Sequence, residues 1–313
     1  MNSEASLAIL QWNLGNFDVA PRLPGRGYRG MAYTHASASR DEDLDDFAAV
    51  IRAENPDLIT LQEVDVRKEH HRRLASLAGY EVAAFGKADD RHTQALLIKT
   101  GAVATLRALE APAGVNGVGA RVRWNENGKE LAVFSNHSSA GILTRERAAQ
   151  HRTLADWSKR RRKDGPLLIG GDFNFDDAPG SLLRRVESLR VLPFFPRIAS
   201  SDWAEDVAAL REVKEALRDL GAEAGPTAGA PRHWPKILLP FGFPLIPLGW
   251  ALGAGRRRSR LDYVFGSGVA AVESRVISLT GPSAAKHPDV SDGAFPWLDH
   301  DPVFVRIRLD DKA

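Results

Sequence analysis

The sequence contains no cysteine, and its formal net charge is only +2 over 313 residues. The missing thiols exclude disulfides and thiolate metal sites, although they do not fix a compartment. The near balance of charge excludes a bulk field that would draw the whole chain onto nucleic acid or membrane, so any such binding must come from local patches. Between Met1 and Ser6 no basic segment leads into an apolar core, so no secretory leader is expected. A cytoplasmic setting follows from that, and a secreted form already trimmed of its leader would read the same way. No internal repeat and no domain-separating linker is found, so residues 1–313 read as a single domain. The one apolar stretch of unusual length, 234–250, contains four prolines, which forbid a regular spanning helix. No transmembrane helix is expected. Hydrophobic residues at 43% against 26% charged are ordinary for a globular protein and supply enough side chains for a sizeable core.

The stretch that organises the rest is Leu167-Leu168-Ile169-Gly170-Gly171-Asp172-Phe173-Asn174-Phe175-Asp176. An apolar run after Gly165-Pro166 has the pattern of a strand buried on both faces. Two glycines then suit a tight turn, and on an extended backbone Asp172 and Asn174 would share one face. A carboxylate and a carboxamide at a sheet rim suit a hard cation, a phosphate or an activated water. They equally suit a strand end closed by an Asx turn.

Other segments repeat the pattern. Strands are expected at Leu7–Asn13, Leu58–Glu63, Ala95–Ile98, Val118–Trp124, Leu131–Phe134, Arg260–Phe265 and Val303–Leu309, with a hairpin turn at Asn127-Gly128. Helices are expected where Leu44, Phe47, Ala48 and Ile51 keep helical spacing, over about 144–162, over 181–190 and over 202–220. Residues 20–40 read as a long surface loop. Polar groups recur where the apolar runs end: Asn13, Glu63, His137, Asp172, Asn174, Asp262, Asp299 and His300. Any one of them has a bland explanation as a turn former, a helix-start acid or a surface histidine. Gathered at one edge of a sheet scaffold, they are the material of a site.

Together Gln11-Trp12-Asn13, Leu61-Gln62-Glu63, Ser135-Asn136-His137, Gly171-Asp172-Phe173-Asn174, Ser259-Arg260-Leu261-Asp262-Tyr263 and Leu298-Asp299-His300-Asp301-Pro302-Val303 resemble the endonuclease/exonuclease/phosphatase superfamily. This is the deoxyribonuclease I-like fold, and the motifs occur in the family's order. The resemblance implies an α+β architecture, a four-layer α/β sandwich of two packed mixed β-sheets flanked by helices, with the site at one end.

Oxygen donors without cysteine favour Mg²⁺, Mn²⁺ or Ca²⁺ over Zn²⁺, and Mg²⁺ is the expected cofactor. By resemblance Asn13, Glu63 and Asp299 hold the ion, and Asp172 and Asn174 orient the attacking water and a phosphate oxygen. His300, paired with Asp262, is the general base or transition-state clamp. His137 bonds phosphate or protonates the leaving group. Members acting on abasic DNA carry a Tyr and an Arg in mid-chain, a pair for which Arg121, Arg123, Arg145 and Arg147 are candidates without a motif.

The Pro-rich apolar insertion at about 231–258 precedes the basic run Arg256-Arg257-Arg258-Ser259-Arg260. As a covered loop it is structural. As an exposed tongue, residues 234–250 would meet a membrane surface. Alternatively Arg256, Arg257 and Arg260 would bind substrate along a nucleic-acid backbone. The expected activity is metal-dependent hydrolysis of a phosphate ester, with a nucleic-acid phosphodiester ahead of a phospholipid, sphingomyelin or phosphoinositide substrate. The non-enzyme alternative is a binding scaffold of the same fold.

Overall fold

The structure is a computed structural model that describes residues 6–14, 41–65, 69–86, 92–139, 145–177, 203–227, 260–279 and 300–309. The expected helix at 181–190, the loop at 20–40 and the apolar insertion lie outside the described residues. The first apolar run forms β1 (Leu7–Asn13), and the acidic turn after it opens α1 (Asp41–Glu54). Asn55, at φ 49°, ends that helix ahead of Pro56. The chain continues through β2 (Leu58–Asp65), α2 (His70–Ala78), β3 (Tyr80–Phe85), β4 (His92–Lys99) and β5 (Val103–Leu109). The second half comprises β6 (Gly117–Trp124), β7 (Glu130–His137), α3 (Arg145–Arg161), β8 (Leu167–Asp172), α4 (Trp203–Ala216), β9 (Arg218–Asp219), β10 (Asp262–Ser267), β11 (Val269–Val276) and β12 (Val303–Leu309).

Two six-stranded mixed sheets result, in the orders β11-β12-β1-β2-β4-β3 and β5-β6-β7-β8-β10-β9. Each holds one parallel pair near its centre, β1 with β2 and β7 with β8, and all its other pairings are antiparallel. A parallel pair needs a crossover, and α1 and α3 lie on those crossovers. Three apolar layers follow from strands that bury both faces. Leu10, Trp12, Ile59 and Leu61 pack outward against Phe47, Ile51 and Leu74 of α1 and α2. Leu7, Ile9, Leu58, Val122, Val133 and Leu168 fill the space between the sheets. Phe134, Ile169 and Phe265 pack outward against Trp157 of α3 and Leu210 and Val213 of α4. Among the described residues no helix is long and apolar enough to cross a membrane.

Three details differ from the sequence reading. Helix α4 stops at Ala216, so Leu217 and Leu220 are not on its face; Leu217 joins the outer layer and Leu220 reaches the layer between the sheets. Strand β2 does not end at Glu63 but continues through a bulge there, with Glu63 at φ 56°. Gly170 and Gly171 do not turn the chain, because they lie inside β8. A Cβ at Gly170 would stand 2.3 Å from Thr60 Oγ1 in the facing sheet, and one at Gly171 would stand 2.1 Å from the Asn136 carbonyl oxygen. Glycine is needed here for close approach, and it brings the sheets together where their ends carry polar groups.

Replacing Gly170 with alanine is therefore expected to lower unfolding stability by about 1–3 kcal/mol, the usual range for overpacking. Urea denaturation measures this, and Thr60→Ala in the same chain should recover part of the loss. Additive losses in the double variant would contradict the close-approach explanation.

Candidate active site

Along the inner face of β8 the side chains run Leu168, Gly170, Asp172, and the layer between the sheets changes from apolar to polar in the same direction. Gln11 Nε2 donates to Gln62 Oε1 at 2.6 Å and to Asp262 Oδ1 at 3.0 Å. Gln62 Nε2 donates to Ser135 Oγ at 3.0 Å, and Ser135 Oγ donates to the Leu61 carbonyl oxygen. This buried chain of amides ties the two sheets together directly beneath the site.

Above it, the carboxyl ends of both parallel pairs converge. Asn13 ends β1, Glu63 sits in the β2 bulge, and His137 and Asp172 end β7 and β8 in register with each other. Asn13 Nδ2 donates to Glu63 Oε1 at 3.2 Å and to Asp172 Oδ2 at 2.9 Å. His137 Nε2 lies 3.6 Å from Glu63 Oε1 and 3.8 Å from Asp172 Oδ2 and is buried without a hydrogen-bond partner. On the other side Asp262 opens β10 directly opposite Asp172. His300, just before β12, places Nδ1 2.8 Å from Asp262 Oδ2 and Nε2 3.9 Å from Asp172 Oδ2. Held by Asp262, the ring keeps a fixed orientation with Nε2 toward the site.

Asn174 behaves differently from the extended picture. The strand ends at Asp172, and Asn174 is at φ 52° with its N–H donating 2.7 Å to Asp172 Oδ1, so an Asx turn and a site carboxylate coexist. Its side-chain amide donates to the Ser138 carbonyl oxygen at 2.8 Å. Arg260, expected on substrate, pairs with Asp219 through two bonds of 2.7 Å and lies over the Tyr263 ring at 4.4 Å, so its guanidinium is engaged in holding the fold. Asp299, Arg256 and Arg257 lie outside the described residues.

Burial pushes the Asp172 carboxyl up to about 6; Asp262 pushes the same way, while His300 and His137 oppose it. Burial also lowers the His137 pKa, so its imidazole favours the neutral form. Two groups of possible ligand atoms form, Glu63 with His137 and Asp172, and Asp172 with Asp262 and His300, each within 4.8 Å. A divalent ion fits this chemistry. Two carboxylate oxygens share one amide N–H₂ as their link, and an imidazole nitrogen beside them is unsatisfied. Turning the Asn13 amide over would add a third oxygen. Asn13, Glu63 and Asp172 are the described residues that would hold a hard cation such as Mg²⁺.

Several supports were not read from the sequence. Thr227 Oγ1 accepts from the N–H groups of Leu261 and Asp262, and its carbonyl accepts from Asp301, so one residue braces the approach to both Asp262 and His300. Arg147 of α3 forms a buried ion pair with Asp206 of α4 and donates to the Asn174 carbonyl oxygen at 2.9 Å. His151 Nε2 lies 3.1 Å from Ser138 Oγ. The spacing of Arg147, four residues before His151, places both on one helix face and was the available clue.

A carboxyl raised from 3.8 to about 6 keeps its proton in the folded chain where the unfolded chain has released it. Its ionisation therefore costs stability, progressively from about pH 4 to pH 6 and fully above. In chelator, Asp172→Asn should raise Tm above pH 6, with the gain shrinking as pH falls toward 4. A gain independent of pH would show that Asp172 is not held protonated by burial.

Comparisons with known proteins bear on the fold and the family. No curated protein sequence matches the chain. The D. rerio TDP2 structure complexed with single strand DNA product aligns over 97% of this chain and 100% of its own, with a TM-score of 0.63 and 15% identity. The human Nocturnin catalytic domain with bound sulfate aligns over 97% and 93%, with a TM-score of 0.55 and 15% identity. The Bacteroides thetaiotaomicron mannosyl-6-phosphatase aligns over 96% and 99%, with a TM-score of 0.58 and 16% identity. At these identities the likeness establishes the fold. The family model for the endonuclease/exonuclease/phosphatase family matches residues 10–292, and the chain belongs to that family of phosphoester hydrolases.

Proposed function

We propose that the protein is a Mg²⁺-dependent phosphodiesterase acting on nucleic acid. The observation that carries the reading is the setting of Asp172 Oδ2. One buried oxygen lies 2.9 Å from the Asn13 amide nitrogen, 3.8 Å from His137 Nε2 and 3.9 Å from His300 Nε2. Phosphodiester hydrolysis needs a proton taken from water and charge stabilised at phosphorus, and these groups supply a base in His300 and a phosphoryl-bonding imidazole in His137. The nucleic-acid assignment is supported by the single strand DNA product in the TDP2 structure.

Asn13, Glu63 and Asp172 would hold Mg²⁺, which would supply charge neutralisation at the phosphoryl oxygens; Asp299, outside the described residues, is a further ligand by the family resemblance alone. In the half-reaction borne by the chain, His300 Nε2 takes the proton from the attacking water as the new P–O bond forms. Asp262, on Nδ1, stabilises the imidazolium that results. The His137 imidazole hydrogen-bonds a phosphoryl oxygen, and Asn174 fixes the turn that aims Asp172. As the other P–O bond breaks, the leaving oxygen takes up a proton from solvent and the His300 imidazolium gives its proton up to solvent, which restores the neutral base.

The test is turnover of plasmid DNA, single-stranded DNA, RNA, sphingomyelin vesicles, phosphoinositides and a sugar phosphate, with and without added metal. Hydrolysis of nucleic acid that chelator abolishes and Mg²⁺ or Mn²⁺ restores is the expected result. Turnover confined to sugar phosphate or lipid would reject the nucleic-acid assignment. Full activity in excess chelator would reject the metal. Glu63→Gln should need far more metal for the same rate. His300→Ala should lower kcat by roughly 10²–10⁴-fold, the contribution of a positioned proton-transfer group, while circular dichroism stays unchanged.

A further inference from the structure

Strand β5 carries a bulge between Thr105 and Arg107, and this extra residue changes which side chains face each other. Thr105 pairs with Val122, and after the bulge Arg107 pairs directly with Arg121 of β6. Directly opposed residues of an antiparallel pair share one face, and like charges so placed repel. The repulsion is not relieved by the neighbours. Arg121 is 7% exposed, yet its guanidinium makes one long hydrogen bond, 3.4 Å to the Asp164 carbonyl oxygen, and one distant ion pair, 3.9 Å to Glu130 Oε2. Its Nε has no hydrogen-bond partner. On the next strand it faces Ala132, too small to cover it.

The nearby carboxylates are already engaged. Glu130 accepts from Arg123 at 3.0 Å, and Asp164 pairs with Arg161 at 3.6 Å. Arg107 is exposed and has no ion pair among the described residues. Among the described residues four arginines thus share two carboxylates, a surplus of two positive charges at the opposed pair, which keeps only the distant Arg121–Glu130 contact. Leu106, Arg107, Arg121, Glu130 and Asp164 line an open groove of about 580 Å³ at this place. It lies toward the start of β8, roughly 17 Å along the strands from Asp172 at 3.3 Å per residue.

We propose that this groove is a second ligand site, separate from the active site, which takes a compact dianion of the phosphate or phosphomonoester type. Such an anion would lie between the two guanidiniums, accept the unused N–H groups of Arg121 in fork geometry and cancel the leftover charge. The exposed Leu106 side chain at the rim suits an apolar portion of an ester. A phosphodiester, with a single charge and no bare phosphate oxygen triad, fits less well, so this ligand differs from the substrate class of the active site.

The experiment measures thermal stability of the full chain in excess chelator against inorganic phosphate, methyl phosphate and dimethyl phosphate at matched ionic strength. A ligand that binds only the folded chain raises Tm once its concentration exceeds Kd, with the logarithm of that concentration. Phosphate or methyl phosphate should do so, and the tighter of the two identifies free phosphate or a monoester as the source. Dimethyl phosphate should bind at least about tenfold more weakly. Arg107→Ala, an exposed change, should leave metal-dependent hydrolysis and Tm without phosphate undiminished, while weakening the phosphate response at least about tenfold. A phosphate response equal in wild type and R107A, or none in the wild type, would overturn the proposal. So would a loss of phosphate-free stability in R107A, which would make Arg107 a structural group.

Discussion

The structure depends on holding a carboxylate, Asp172, almost fully out of water between two sheets. Burying an ionised group without compensation costs several kcal/mol, so everything around it is arranged to supply partners. Asn13 comes from the facing sheet, the Asn174 N–H from the turn, and two imidazoles from opposite sides. That requirement explains why the inner faces of β1, β2, β7, β8 and β10 give up apolar residues at one end only. It also explains the Gln11, Gln62 and Ser135 chain, which pairs most of the side-chain amide and hydroxyl groups where the apolar layer stops and leaves Gln11 Oε1 unpaired.

The central strands, and the polar groups that end them, were legible in the sequence because burial writes itself into composition. β1 and β8 are buried along their whole length, and their apolar runs were plain. The unread strands were β3, β5, β11 and the two-residue β9, and all four lie at sheet edges. An edge strand half exposed to water needs no clean alternation; β5 buries only its first and last residues. β3, β5 and β11 are each bulged, which breaks period two further and discourages pairing with another chain. Helix α2 escaped for a related reason, since His70-His71-Arg72-Arg73 offers no apolar stripe.

At the site, strand-end position found Asn13, Glu63, His137, Asp172, Asp262 and His300, which the structure brings together. The supports were harder to read because their roles are set by contacts between distant segments. Thr227 holds two backbone segments through one hydroxyl and one carbonyl, and nothing in Gly225-Pro226-Thr227 announces that. Arg147 acts through Asp206 and a main-chain carbonyl. Arg260 went the other way: a basic residue next to a site motif proved to be locked onto Asp219 and Tyr263.

The amide chain beneath the site has a mechanical consequence. Asn13, Glu63 and His300 ride on one sheet, while His137, Asp172 and Asp262 ride on the other. The groups to which the proposed function gives roles are therefore divided between two slabs, and their alignment reports any slip of one slab over the other. A misplacement of about 1 Å can cost on the order of 10²-fold in rate. The Gln11, Gln62 and Ser135 bonds act as a shear pin at the point where such slip would be felt most. On the proposed function, competence for chemistry depends on the stiffness of the seam between the slabs as well as on the folding of each.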